Sequence, residues 1–392
     1  VHAPVAARTL WHAVPDAWWP ARARAAQAAA LCLLQDAYPG HCATLLSSGT
    51  AALQLAVTLA HPGPGAPRVA VPAYACPDLG TAVQGAGGTL LLYDTDPATL
   101  APDLASVERA LRAGATVVVV AHLFGVVTAL GPVEALAAAH GAVVVEDAAQ
   151  HAGGTVDGVR GGGQGAWGVL SFGRGKGLNA GGGGVLLSRT PLPPRWAEAV
   201  AAAPRGSSVR HLLVTAATAA LAHPLPFAVV RRLPGVGVGA TTYQAPTPPA
   251  RPPATMARLL HAAWQAEPAA RANRQRRQAA YRAALAAVPG VTGVTLPAGG
   301  TPGALREPVL AHPARMAPLA PLGVGRGYPR TLAAYAELAG SLAAPPDPLP
   351  GADHLVAQLH TLPTHPLVSE AAAARLLAAL GASAHVADAH GR

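Results

Sequence analysis

TVVVVAHLFGVVTALGPVEALAAAHGAVVVEDAAQ, residues 116–150, decides the fold class. Its two ends, TVVVVAH (116–122) and AVVVED (142–147), are β-branched apolar runs of strand length. Between them, residues 131–140 carry Ala, Leu and Val at helical spacing. A strand, a helix and a second strand read as one unit of a parallel sheet. Both runs are continuously apolar rather than alternating, as strands covered on both faces should be.

The same alternation extends outward. Further strand candidates are 43–47, 68–72, 89–94, 167–172 and 183–188, and further helical segments are 50–60, 77–86 and 103–113. The sequence therefore predicts an α/β fold with a mostly parallel seven-stranded sheet in a large domain. No helix separates the last two strands, so they pair or cross near any site at the strand ends. Residues 189–253 carry the proline-rich stretches PLPPR, HPLP and TPPARPP and read as linker or insertion. A helical pattern resumes over 254–287. Short apolar runs with Gly/Pro turns then close on a helix at 369–380, which predicts a smaller α+β domain. The division expected is 20–204 for the large domain, 205–253 for the apolar, Pro-rich insertion and 254–392 for the small domain.

Composition narrows the function classes. Of 392 residues, 51% are hydrophobic and 12% charged, which is a globular balance. The formal charge is +9, but the arginines are dispersed and no basic run alternates with aromatics. That argues against a nucleic-acid groove. Cys32, Cys42 and Cys76 are too few and too irregular for a disulfide framework or a metal site. The N-terminal residues show no signal-peptide pattern, so the expected location is cytoplasmic. Residues 211–230, HLLVTAATAALAHPLPFAVV, are apolar and of spanning length, but His223, Pro224 and Pro226 interrupt them. They predict a buried or dimer-facing helix pair; membrane contact through 211–230 is the lesser reading.

Ligands of open parallel sheets sit at the carboxyl ends of the strands, and polar residues follow several such ends here. SSGT (47–50) opens a helix and can serve as an N-cap or as an anion cradle at the helix N-terminus. EDAAQ (146–150) places Asp147 and Gln150 just past a strand. Asp147 there can cap a helix, pair with a cation or hold a pyridine nitrogen protonated. Ser171 closes a strand five residues before Lys176, within SFGRGKGLNAGGGG (171–184). Lys176 is the only lysine among 28 basic residues. Arginine supplies charge and binds phosphate, but its guanidinium keeps its proton and cannot act as a nucleophilic amine. A desolvated lysine can, and it forms a Schiff base with an aldehyde. One lysine among converging strand ends points to covalent amine chemistry with pyridoxal 5'-phosphate.

SSGTAAL, the run PAYAC (72–76), HLFG (122–125), EDAAQ and SF…K…GGGG together resemble the DegT/DnrJ/EryC1/StrS family of pyridoxal-phosphate-dependent sugar aminotransferases. GRGYPRTL (325–332) and TLPTHPLVS (361–369) resemble that family's small domain. The resemblance implies a fold-type I transferase, a homodimer, and amino transfer from an amino acid such as glutamate to a keto group on a nucleotide-linked sugar. It implies Lys176 as the Schiff-base lysine and Asp147 as partner of the pyridinium nitrogen. Gln150 would lie on the ring-hydroxyl side, and Gly49, Thr50 and Ser171 would bind the phosphate. Two departures stand out. Cys76 occupies the position where the family often stacks an aromatic on the cofactor, with Tyr74 two residues earlier. ARPPATMARLL (250–260) replaces the family's Asn-x-Arg-Met segment. Two other readings remain at this point: a dehydratase on the same scaffold, which the family associates with histidine at the lysine position, and a non-catalytic binding or scaffold protein.

Overall fold

The computed structural model describes residues 7–61, 63–151, 153–221, 241–343 and 347–381. The strands of the first half are β1 (Cys42–Leu46), β2 (Arg68–Pro72), β3 (Thr89–Tyr93), β4 (Val117–Ala121), β5 (Val143–Asp147), β6 (Thr155–Val156), β7 (Val159–Arg160), β8 (Trp167–Ser171) and β9 (Gly184–Ser188). Seven of them form one sheet in the order β1-β9-β8-β5-β4-β2-β3. β8, β5, β4, β2 and β3 pair in parallel, and β9 runs antiparallel to both β1 and β8. Six strands thus share a direction and only β9 is reversed. The missing helix between β8 and β9 shows as direct antiparallel pairing.

The centre of the sheet is covered on both faces. Every residue of β4 is buried. Val117, Val119 and Ala121 face one core, and Val118 and Val120 face the other, as the two-residue period of a strand requires. The first core lies under α3 (Gly49–Ala60) and α4 (Pro77–Gly85). The second lies under α5 (Leu104–Arg112) and α6 (Gly131–Ala139). Alternate valines each remove a full side chain from water, about 1.5–3 kcal/mol apiece before chain entropy is charged against it.

Two helices that the strand pattern did not announce flank this frame: α1 (Ala7–Ala13) and α2 (Pro20–Ala37). Ala26, Ala30 and Leu34 seat α2 on the β1–β9–β8 end of the sheet, with Leu45, Leu170 and Leu187. The stretch read as linker or insertion holds α7 (Pro194–Ala202) and α8 (Ser208–Ala220). Of the stretch 211–230, predicted as a buried or dimer-facing helix pair, the described residues hold α8, whose buried residues are His211 and Thr215. Its Val209, Leu213 and Val214 are exposed. Residues 222–230, the rest of that stretch, lie outside the described residues. Among the described residues no helix is long and apolar enough to cross a membrane.

The long α9 (Met256–Leu285) starts against α2 and ends against the second sheet. That sheet contains β10 (Val291–Gly293), β12 (Arg306–Ala311), β13 (Gly325–Arg326) and β14 (Leu359–Pro363), in the order β10-β12-β14-β13. α10 (Pro350–Gln358) and α11 (Glu370–Ala379) pack beside it. The remaining strand, β11 (Gly300–Thr301), crosses back to pair with β6. Asp94, buried at the end of β3, accepts the Gly351 and Ala352 N–H groups of α10 at 2.8 and 2.7 Å. These ties bring residues of the C-terminal region onto the carboxyl edge of the main sheet.

Candidate active site

A cavity opens where β1, β2, β4, β5 and β8 end. It encloses about 500 Å³ of non-atom space, part of it open to solvent, and its walls include Thr50, Cys76, Asp147, Gln150, Lys176 and Tyr328. Gly49 and Ser171 also line it. The structure therefore brings Gly49, Thr50, Cys76, Asp147, Gln150, Ser171 and Lys176 to one cavity, although they come from four different strand ends.

The β1–α3 turn forms one wall. Ser48 caps α3 by accepting the Ala51 N–H at 3.0 Å, which stabilises the helix by about 1 kcal/mol. Gly49 and Thr50 are then left at the positive end of the helix dipole, facing the cavity. Glycine at 49 is a matter of space. A Cβ there would stand 2.6 Å from Ser171 Cβ and 2.8 Å from its Oγ. The close approach of α3 to β8 makes a cradle of N–H and hydroxyl groups, a chemistry that suits a phosphate.

Asp147 ends β5 and is buried. Its recorded hydrogen bond comes from Ala149 N–H at 3.0 Å. Burial pushes its carboxyl up from the ordinary carboxylate range, while Ala149 N–H, Lys176 and His122 pull it back. A desolvated carboxylate with a single backbone donor suits a protonated ring nitrogen placed in the cavity. Behind Asp147 lies a second, fully buried acid, Glu146. It accepts His122 Nε2–H at 2.7 Å, Gly162 N–H at 2.6 Å, and the backbone and side-chain N–H of Gln164 at 3.0 and 3.1 Å. Burial alone would raise its pKa, but these hydrogen bonds outweigh burial and hold it below the usual value. Thr128 N–H donates to His122 Nδ1 at 3.2 Å, so the His122 proton sits on Nε2 and points at Glu146.

Lys176 is half-buried in the loop that follows β8. The glycine run after it is packed from outside by α8 and α9. His211 of α8 donates from Nε2 to Ala180 O at 3.0 Å, and its Nδ1 meets Thr255 Oγ1 at 2.7 Å. A Cβ at Gly181 would collide with Thr215, and one at Gly183 with Met256. The replaced Asn-x-Arg-Met segment thus holds Thr255 and Met256 against the lysine loop. Arg258, two residues on, forks onto the buried Asp16.

Cys76 lines the cavity where an aromatic was expected. Burial, with Asp78 adding to it, pushes its thiol up to about 12, so it is a neutral wall atom. Tyr74 does not take over that place. Its ring packs edge-on to Tyr328 at 5.3 Å, and its hydroxyl accepts Tyr328 N–H at 2.9 Å. The aromatic residue on the cavity wall is Tyr328, from the C-terminal region. Gln150 donates from Nε2 to the Tyr328 hydroxyl at 2.6 Å and accepts Phe124 N–H on Oε1 at 3.0 Å. Phe124 adopts φ 57°, the left-handed region that bulky residues avoid, and Arg306 N–H bonds its carbonyl at 3.1 Å. Strain at HLFG is therefore held by the C-terminal region. Tyr328 lay inside GRGYPRTL, and nothing in that string gives its hydroxyl a destination. His122 and Asp78, also on the wall, likewise needed the fold to be recognised.

Comparison with known proteins covers part of the chain by sequence and nearly all of it by structure. Residues 35–200 match the profile of the DegT/DnrJ/EryC1/StrS aminotransferase family. An L-glutamine:2-deoxy-scyllo-inosose aminotransferase of Streptomyces paromomycinus is 35% identical over 193 residues, 48% of this chain and 45% of that protein. A GDP-perosamine synthase of Caulobacter vibrioides is 31% identical over 158 residues, 39% of this chain and 42% of that protein. The chain thus spans less than half the length of these curated relatives. The crystal structure of a DegT DnrJ EryC1 StrS aminotransferase from Brucella abortus superposes with a TM-score of 0.73 at 21% identity, covering 95% of both chains. The shared architecture is that of the fold-type I aminotransferases. Over residues 35–200, then, the chain is similar to the DegT/DnrJ/EryC1/StrS aminotransferase family.

Proposed function

We propose that this protein is a pyridoxal-phosphate-dependent aminotransferase that moves an amino group from an amino acid to a keto group on a sugar-like ring. The observation that carries the reading is the gathering of Lys176, Asp147, Thr50 and Ser171 on one cavity. The donor set fits the cofactor: a helix N-terminus with two hydroxyls for phosphate, a buried carboxylate for a ring nitrogen and an amine for an aldehyde. When bound, the cofactor supplies an electron sink for the α-carbon of the amino donor.

The residues then divide the work. Lys176 would hold the cofactor's aldehyde through its amine, and the same amine would serve as general base and acid for the donor's α-proton. Asp147 keeps the ring nitrogen protonated. Gly49, Thr50 and Ser171 hold the phosphate, and Gln150 sets the ring-hydroxyl side. Cys76 gives a small, neutral wall where a stacked aromatic would narrow the cavity. For the acceptor we propose a nucleotide-linked keto sugar. One relative's name carries such a nucleotide, and another's, 2-deoxy-scyllo-inosose, does not.

A homodimer fits the surface. Trp11, Trp18, Trp19 and Leu213 are 76, 68, 59 and 66% exposed, on or beside α1 and α8, which touch each other. Apolar surface of that kind marks a protein contact, and α8 also braces the lysine loop.

The test is spectroscopic. Protein loaded with pyridoxal phosphate and desalted should keep a visible band that glutamate or glutamine bleaches. Lys176→Ala and Lys176→Arg should both lose the band and turnover, since arginine restores charge without a nucleophilic amine. A Lys176→Ala protein that keeps the band through dialysis overturns the assignment. An amino product from a keto sugar supports transfer, and a deoxy product supports the dehydratase instead.

A further inference from the structure

We propose that Tyr328, carried by the C-terminal region, contacts the cofactor and donates its hydroxyl proton to the oxygen on the cofactor ring. This rests on the pyridoxal-phosphate reading above.

Proton direction at the Gln150–Tyr328 pair decides the contact. Phe124 N–H fixes the Gln150 amide by donating to Oε1 at 3.0 Å. Nε2 therefore faces Tyr328, at 2.6 Å, and in that bond the phenol oxygen can only accept. A phenol that accepts from an amide keeps its own proton to give. Among the described residues no acceptor for that proton is recorded, and Tyr328 lines the cavity. Burial raises the hydroxyl well above its usual pKa, and Cys76 and Tyr74 add to the rise, so the proton stays on at working pH.

A fixed neutral donor on a cavity wall favours an anionic oxygen. The phosphate has its own donors in the α3 turn and Ser171. The acidic ring hydroxyl of pyridoxal phosphate is the other anionic oxygen the cofactor brings. It is also the side that Gln150, the partner of Tyr328, was expected to occupy. Tyr328 then supplies both features that Cys76 lacks: an aromatic ring and a polar handle. It does so from the far side of the fold, with Tyr74 holding its backbone at 2.9 Å.

The experiment compares Tyr328→Phe with wild type, both loaded with pyridoxal phosphate and free of substrate. The reading is the pH midpoint of the visible absorbance. A donor on the ring oxygen weakens that oxygen's hold on the proton at the Lys176 nitrogen. Removing the donor should raise the midpoint by about one pH unit, a tenfold change in the equilibrium. The phenyl ring keeps its contacts with Tyr74 and Phe124, so the fold should persist; Tyr74→Phe, which loosens the backbone of Tyr328 and leaves its hydroxyl, is the control and should not shift. An unchanged midpoint in Tyr328→Phe overturns the proposal and leaves the cofactor reading standing. An equal shift in Tyr74→Phe also overturns it, because displacement rather than the hydroxyl would be the cause. A wild type with no visible band overturns the cofactor reading, and this proposal with it.

Discussion

Replacing Glu146 with Gln should destabilise the protein by about 2–4 kcal/mol, although the residue is fully enclosed and the change is isosteric. Its Oε1 accepts from His122, Gly162 and Gln164 Nε2, and its Oε2 accepts from Gln164 N–H. A Gln at 146 can keep its oxygen toward the first three. Its NH₂ must then face Gln164 N–H, donor against donor. Three charge-assisted bonds become neutral ones, at about 0.5–1 kcal/mol each, and one buried N–H goes unpaired, at about 1–3 kcal/mol. Relief of the carboxylate's desolvation offsets part of this. The lowered pKa shows that the bonds outweigh that burial in the wild type. The same fact fixes the pH dependence. A carboxyl with a depressed folded pKa contributes its stability above the unfolded value, near 4.3, and loses it as pH falls through the folded value. Urea unfolding of cofactor-free protein, followed by circular dichroism, should show the full difference at pH 7 and a narrowed one below pH 4. A loss under about 1 kcal/mol, or one equally large at low pH, would rule out this account of the Glu146 bonds.

Two other expectations test the site and its surroundings. Gly49→Ala places a Cβ 2.6 Å from Ser171 Cβ, which is fixed to strand β8 and cannot swing away. Overpacking of this kind costs about 1–3 kcal/mol, so the melting temperature should fall, and affinity of the folded protein for pyridoxal phosphate, titrated by absorbance, should fall at least about tenfold; unchanged affinity would remove Gly49 from the phosphate cradle. Leu213→Glu, on the exposed side of α8, should turn a dimer into a monomer in sedimentation velocity at micromolar concentration. A wild-type protein that sediments as a monomer would dispose of the proposed interface.

The sequence was most informative where two periodicities agree. The β-branched runs of the main sheet are continuously apolar because both faces are covered, so each was visible to within a residue or two of its observed ends. β4 was expected over 116–122 and spans 117–121. β9 gave itself away through a missing helix. The site was legible for a related reason: a parallel sheet delivers its strand ends to one edge, so Thr50, Asp147, Ser171 and Lys176 could be grouped before any distance was known. Other parts resisted because their positions depend on long-range partners. α2 has Ala at its buried positions 26 and 30, and alanine is so common in this chain that it draws no stripe. β6, β7 and β11 are two residues each and exist only because they pair with one another across the fold. α8 carries Leu and Val on its exposed side and turns His211 inward, which inverts the polarity that periodicity looks for. Tyr328 is the sharpest case. Its chemistry depends on which way the Gln150 amide points, and that direction is set by a backbone N–H at Phe124, held in a left-handed turn by Arg306 from the C-terminal region. Four segments far apart in sequence settle one proton, and no local pattern can encode such an arrangement. Strand-end residues announce a site by position, whereas the groups packed around it from distant segments emerge only once the chain has folded.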